Sequence, residues 1–338
     1  MNPLTFFLRR LVTALVTLFG VTLITFTLTH LISSNPLVAW LGKSASIDPQ
    51  LAQIYIKIYH LKSPLYLQYF YYIDGLLHAD WGFSFSKGEP VAQAVSQTLP
   101  YTIQLVILSL LFTIILGVAG GILSARFHGS ILDKTIRTLY ILGYASPAFF
   151  IALVLILVFS LFLPVLPTGG AAPVGVTLPK PITHIPLLDA LIEGDWTAFS
   201  SLLRHAILPS LALSLGLFGV VTRVLRSSIL ELINSNFIRA ARARGVSENK
   251  VYFYAFKNSL VAVITLLAIT VNFTLVADIF VENIFAYPGV GQYVVQAALS
   301  LDYPAVLAIT LVYAIIIVTA NFIADLLYAV VDPRIRYE

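Results

Sequence analysis

"NFIRAARARGVSENKVYFYAFKNSL", residues 236–260, sets Arg239, Arg242, Arg244, Lys250 and Lys257 around one glycine, Gly245, in a chain where 11% of residues are charged. The fold able to carry such a cluster is decided by the rest of the chain. Its 338 residues are 59% hydrophobic, and the mean hydropathy is +0.91. A soluble domain carries roughly 25% charged residues, more than twice the fraction here. This is the composition of an integral membrane protein.

The apolar residues gather into six runs, at about 11–32, 101–125, 136–163, 206–224, 259–281 and 304–330. Each is long enough to cross roughly 30 Å of hydrocarbon as a helix. Backbone groups have no water to bond there, so helices are the default, and the expected fold is all-α with six transmembrane helices. Arg9 and Arg10 precede the first run as they would in a secretion signal. The apolar stretch is too long for one and no small-residue cleavage site follows, so it reads as a retained helix. With the N-terminus inside, fourteen of the twenty Lys and Arg residues fall in cytoplasmic segments. Loops rich in these residues stay in the cytoplasm, which puts both termini there.

The expected organisation is an N-terminal transmembrane helix (1–32), an extracytoplasmic helical segment (33–100), a five-helix core (101–331) and a cytoplasmic tail (332–338). In the outer segment, Asp48–Pro49 and Ser63–Pro64 read as helix starts. The aromatic run 66–72 fits either a belt at the membrane interface or a platform that receives a partner or substrate. A second outer segment, 164–204, begins rich in Pro and Gly and reads as an irregular rim loop. Ser146 and Pro147 should bend the third span, and the glycines of "GVAGG" (117–121) should let a neighbouring helix come close. The chain has no cysteine.

The basic stretch lies in a cytoplasmic loop, 225–258, far longer than the other inner connection. Ala240, Ala241 and Ala243 between the arginines make a helix, Gly245 can end it in the left-handed conformation, and Ser247 can cap the next. The prediction is helix, glycine corner, helix. One reading is an amphipathic segment resting on anionic lipid, favoured by about 1 kcal/mol per basic residue. Its small, alanine-lined surface instead suits a cleft on another protein.

At this point the sequence resembles the permease subunits of ABC importers. Their loose signature in this loop is Glu-Ala-Ala, three residues, then Gly; here Arg239 stands at the Glu position, followed by Ala240, Ala241 and, after three residues, Gly245. The likeness to the dipeptide, oligopeptide and nickel branch is strong in the C-terminal third, at Glu282, Phe285, Pro288, Gly289, Gly291, Asp302, Tyr303, Pro304, Asn321, Asp325, Tyr328, Asp332, Pro333 and Arg334. "FLRRL", "DWGFSF" and "RHAILP" also match, while "YAFKNSL" departs from the branch's usual pattern. The resemblance implies a type I ABC importer permease fold, and a loop that docks as a coupling helix on separate cytoplasmic ATPases through Arg239, Ala240, Ala241, Arg242, Arg244, Gly245 and Ser247. It also implies a second homologous permease, two ATPase subunits that hold ATP and Mg, and an extracytoplasmic substrate-binding protein. The cargo would be di- or oligopeptides, with oligosaccharides or nickel chelates as alternatives.

No catalytic, metal or nucleic-acid signature stands out, so the chain reads as a transport subunit and not an enzyme. "GKS" at 42–44 mimics the end of a phosphate-binding loop, but position 37 is Leu. Within the spans, Asn272 and Asp278 are candidates for lining a pathway, with Ser146 and Pro147 at the bend; Asn321 and Asp325 share a helix face. An ion-coupled secondary transporter is the rival from another class. It would favour carboxylates at mid-membrane and inverted repeats, and neither is evident.

Overall fold

The computed structural model describes residues 3–32, 49–173, 175 and 177–331. The chain forms two compact units, Met1–Thr102 with Pro288–Thr319, and Ile103–Tyr287 with Ala320–Glu338.

The first unit opens with α1 (Pro3–Ile32), followed by α2 (Pro49–Ile58) and α3 (Leu65–Leu77). Next come a hairpin of β1 (Phe83–Ser84) with β2 (Glu89–Pro90), paired Phe83 to Pro90, and the start of α4 (Val91–Arg126). The unit is completed by α11 (Val290–Leu299) and the first part of α12 (Tyr303–Val331). Val91, Ala94 and Val95 pack with Tyr293, Ala297, Ala305 and Ile309 in one core cluster. Phe26, Leu61, Tyr303 and Leu307 make another. The aromatic run divides between core and surface. Tyr69 bonds Thr22 at 2.9 Å and Tyr72 stacks on Phe26, while Tyr66 and Phe70 stay exposed. The expected cap at Asp48 lies outside the described residues.

The second unit contains most of α4, then α5 (Ile131–Ala145), α6 (Ala148–Ile156) continuing into a π-helical turn (Leu157–Phe162), α7 (Pro186–Glu193) and α8 (Trp196–Ile233). The small helix α9 (Asn236–Ala243) and α10 (Glu248–Ile284) complete it with the end of α12. The bend expected at Ser146–Pro147 is there, at 113° between α5 and α6. The second outer segment is more ordered than an irregular rim loop. Asp189, 2% exposed, accepts bonds from the Thr183 N–H and hydroxyl at 2.6 Å, and Asp195 caps α8 by accepting from Thr197 N and Ala198 N.

Among the described residues, four helices are long and apolar enough to cross a membrane, and the bent pair α5–α6 would make a fifth. The remaining expected span, 259–281, lies inside the 37-residue α10. Several helices overrun their spans: the 36 residues of α4 reach about 54 Å at 1.5 Å per residue.

α8 is the axis of the second unit. A Cβ added at Gly117 would stand 2.7 Å from the Cβ of Val221, and one at Gly121 would stand 2.9 Å from Leu225. Both positions advance together along the two helices, so α4 and α8 run parallel. On a neighbouring face of α8, Asp133 meets Arg226, and Gly219 comes against Tyr140 with room for no Cβ. Here the numbers run in opposite senses, so α5 is antiparallel to α8.

Overpacking a tight seam costs about 1–3 kcal/mol. Gly117→Leu and Gly121→Leu should therefore lower the thermal unfolding temperature of the purified chain in detergent. Gly216→Ala, inside the same helix where an added Cβ meets nothing within 4 Å, should not lower it.

Candidate functional site: a basic helix corner

The 236–260 stretch folds as helix, glycine corner, helix. Ser235 caps α9 by accepting from Ile238 N. At its other end Gly245 has φ +77°, which a residue with a Cβ adopts only at a cost. Gly245 N donates to Arg242 O at 2.9 Å and Val246 N to Ala241 O at 3.2 Å, the paired bonds of a Schellman ending. Ser247 stands at the cap position of α10, but its side chain makes no capping bond. Helix fills more of the loop than expected: only 234–235 and 244–247 are left as connections between α8, α9 and α10.

Arg242 ties the corner. Its Nε and Nη2 donate to the two carboxylate oxygens of Glu248 at 2.7 and 3.0 Å, and Nη1 donates to Ile233 O at 3.4 Å. This two-pronged bond holds the Glu248 carboxyl below its ordinary value. A lowered value means that the tie is present at neutral pH and is lost as pH falls through it. Ile238 and Ala241 are buried against the protein itself, at 0% and 2% exposure. Ala241, expected among the coupling residues, thus faces inward. Outward lie Phe237, 54% exposed, with Arg239, Ala240 and Arg244. The exposed face is one aromatic ring among arginines, and Phe237 was not among the coupling residues expected from the sequence.

A second polar cluster, also missed, stands beside the corner. Asp133, 1% exposed, accepts from Arg226 Nε and Nη2 at 3.0 and 2.9 Å, from Gly129 N at 3.0 Å and from the Ser124 hydroxyl. Arg226 foremost, then Ser124 and Gly129, hold its carboxyl well below the usual carboxylate range against the opposing effect of burial. Its own N–H donates to Ser130 Oγ, the cap of α5. The signal was legible: Ser130 with Asp133 three residues on is a helix start of the capping-box type.

The motif residues of the C-terminal third are structural within each unit. In the first, Asp302 Oδ2 accepts from Ser84 Oγ at 2.6 Å, Ser86 Oγ at 2.8 Å and Ser86 N at 3.0 Å. It stands just before α12, where Tyr303 and Pro304 are buried in the first turn. Gly289 precedes α11, Gly291 is buried inside it, and Pro288 is half-buried. In the second, Glu282 is 0% exposed, its carbonyl accepts from Tyr287 N, and the Tyr287 hydroxyl accepts from Gln104 Nε2 at 2.6 Å. Asn272 Nδ2 donates to Asn321 Oδ1 at 2.7 Å, joining α10 to α12. Asp278, expected to line a pathway, is instead fully enclosed at 0% exposure, one helical turn from Glu282. Ser146 is half-buried and Pro147 exposed at the α5–α6 bend. The Asp325 side chain, and Asp332, Pro333 and Arg334 entirely, lie outside the described residues.

Comparison with known proteins gives a consistent picture. Residues 117–337 match the family described as binding-protein-dependent transport system inner membrane component, and residues 3–106 match the N-terminal model of the same kind of component. A probable D,D-dipeptide transport system permease protein of Escherichia coli is 37% identical, over 94% of this chain and 93% of the relative. A di/tripeptide transport system permease protein of Pseudomonas aeruginosa is 33% identical, over 99% of both. An oligopeptide transport system permease protein of Bacillus subtilis is 32% identical, over 98% of this chain and 99% of the relative.

Removing one buried acceptor leaves its donors unpaired at about 1–3 kcal/mol. Asp302→Ala should accordingly speed hydrogen exchange at the Ser86 amide, read by mass spectrometry across 83–90, with little change at the helix corner.

Proposed function

The chain belongs to the binding-protein-dependent transport system inner membrane component family, and from that premise we propose that it is the permease subunit of an ATP-driven importer of di- or oligopeptides. It crosses the membrane six times with both termini cytoplasmic, in a type I ABC importer permease fold. It supplies half of the translocation pathway, and a second homologous permease supplies the other half. Two cytoplasmic ATPase subunits hold the ATP and Mg, and an extracytoplasmic binding protein delivers the cargo. The parallel course of α4 and α8 supports this reading, because two crossings apart both helices run from outside to inside.

The observation that carries the proposal is the corner at Gly245. A groove on an ATPase would receive the outward face formed by Phe237, Arg239, Ala240 and Arg244. The inward face, with Ile238, Ala241 and the Arg242–Glu248 tie, carries the push to α8 and α10. Ser247 helps to set the direction in which α10 leaves the corner. ATP binding and docking of the loaded binding protein would each favour one of two states of the pathway, and so act on each other through it. The names of the relatives support peptides as the cargo.

Purification from the native membrane in mild detergent should recover two ATPase subunits and a second permease with this chain. Phe237→Asp should weaken ATPase retention by roughly thirtyfold, the effect of losing a hot spot of about 2 kcal/mol. Gly245→Pro should leave membrane insertion intact and abolish stimulation of ATP hydrolysis by the loaded binding protein. Recovery of the chain alone, with the corner protected only by lipid, would overturn the proposal.

A further inference from the structure

The Asp133–Arg226 cluster, taken with the corner, assigns a role to the short turn between α4 and α5, and this inference rests on the proposed function. Residues 127–130 are all that separates α4 from α5. The turn is fastened on two sides. Asp133, one turn into α5, is held by Arg226 of α8, seven residues before that helix ends at Ile233. Arg126, the last residue of α4, donates from Nη2 to Asn249 Oδ1 of α10 at 3.2 Å, one residue past the start of that helix. The turn therefore grips the helix entering the corner and the helix leaving it.

The geometry points to Asp133, Arg226 and the Arg126–Asn249 pair as positioning residues that make the helix corner and α5 move as one body, carrying the corner's displacement to the bend at Ser146–Pro147. Three features argue for this. The Asp133 carboxylate is nearly saturated with donors from three places in the chain, which hold it in one orientation. Two parallel bonds to one carboxylate make the pair brittle, because separating its members leaves Asp133, 1% exposed, without its cation. Below the pair, α5 and α8 stay in contact through Tyr140 against Gly219 and Gly143 against the Leu215 carbonyl. A displacement at Arg226 thus has no compliant segment to absorb it before the bend.

His128 is the other titratable group facing the carboxylate, with Nδ1 3.6 Å from Asp133 Oδ2; it is exposed. It adds to the cluster without closing it.

The chain has no cysteine, so spin labels can be placed at two introduced cysteines without background from this chain, which is labelled before the complex is assembled. With Ala243→Cys on the corner and Leu139→Cys on α5, both exposed, pulsed electron resonance on the reconstituted complex should give one narrow distance. That distance should be the same without nucleotide and with ATP and vanadate. Asp133→Asn should broaden it and make it change with nucleotide. Stimulation of ATP hydrolysis by the binding protein should fall roughly two- to thirtyfold, the range over which positions between coupled sites act, while basal hydrolysis is kept. If Asp133→Asn does not fold, the exposed double variant Arg126→Ala with Asn249→Ala should give the same change in weaker form. A label distance that shifts with nucleotide in the unmodified background would overturn the inference, as would a narrow distribution in every variant. Failure to bind ATPases counts against the proposed function instead; the width of the distribution in the chain alone still tests the tie.

Discussion

Where Gly117 and Gly121 face Val221 and Leu225, two helices come so close that a side chain at either glycine has no room. In hydrocarbon, helices gain little from hiding apolar surface from one another, so close contact and interhelical hydrogen bonds must hold them together. The glycine seam supplies the contact, and the Thr222 hydroxyl, which donates to Gly117 O at 3.3 Å, supplies a bond within it. With α4 and α5 fixed on neighbouring faces of α8, the course of α8 is settled well before it reaches Arg226. The corner that follows inherits this rigidity, because two residues separate α8 from α9 and both the Ser235 cap and the Arg242 bond to Ile233 O close that gap.

This is why the arginines at 239–244 do not behave as a basic tail. A disordered cationic segment can gather at an anionic surface, but it transmits no direction. Here one face of an eight-residue helix is taken up by Ile238 and Ala241 packing inward, and the other presents Phe237 with the remaining arginines. Arg242 is spent inside the corner on Glu248. The two readings of the stretch, lipid-bound helix and docking helix, differ in what an exposed phenylalanine among arginines faces, and a rigid mount favours a shaped protein groove.

The sequence showed the four long apolar helices and the bent pair because length and hydropathy are local properties, and it showed the corner because Gly245 and the alanines are helix punctuation. The bend at Ser146–Pro147 and the close approach at 117–121 were legible for the same reason: each follows from what one residue type cannot do. What stayed hidden depends on partners far along the chain. Nothing near Asp302 says that Ser84 and Ser86, more than two hundred residues earlier, will donate to it. Nothing near Asp278 says that this face of α10 is enclosed. That Ala241 lies on the inner face was not legible, because a helix of eight residues gives too little periodicity to tell its inner face from its outer one. The helix at 186–193 was missed because the Pro and Gly before it dominated the composition of the segment.

The placement of the few carboxylates sharpens the distinction between holding a fold and transmitting through it. Asp195, Asp302 and Asp133 all sit at or within the first turn of a helix, where free N–H groups and the positive end of the helix dipole stabilise a negative charge without a cation. Asp302 is satisfied without a cation, by Ala305 N of the helix and by the Ser84 and Ser86 hydroxyls and the Ser86 N–H of the hairpin, and its cluster can fray one bond at a time. Asp133 differs in adding a guanidinium from another helix. Bonds from separate neutral donors, as on Asp302, can be exchanged for water piecemeal, whereas the two bonds from one Arg226 guanidinium to Asp133 must open together. A part that must carry a displacement without yielding needs the second kind of contact, and it stands where α5 meets the helix that enters the corner.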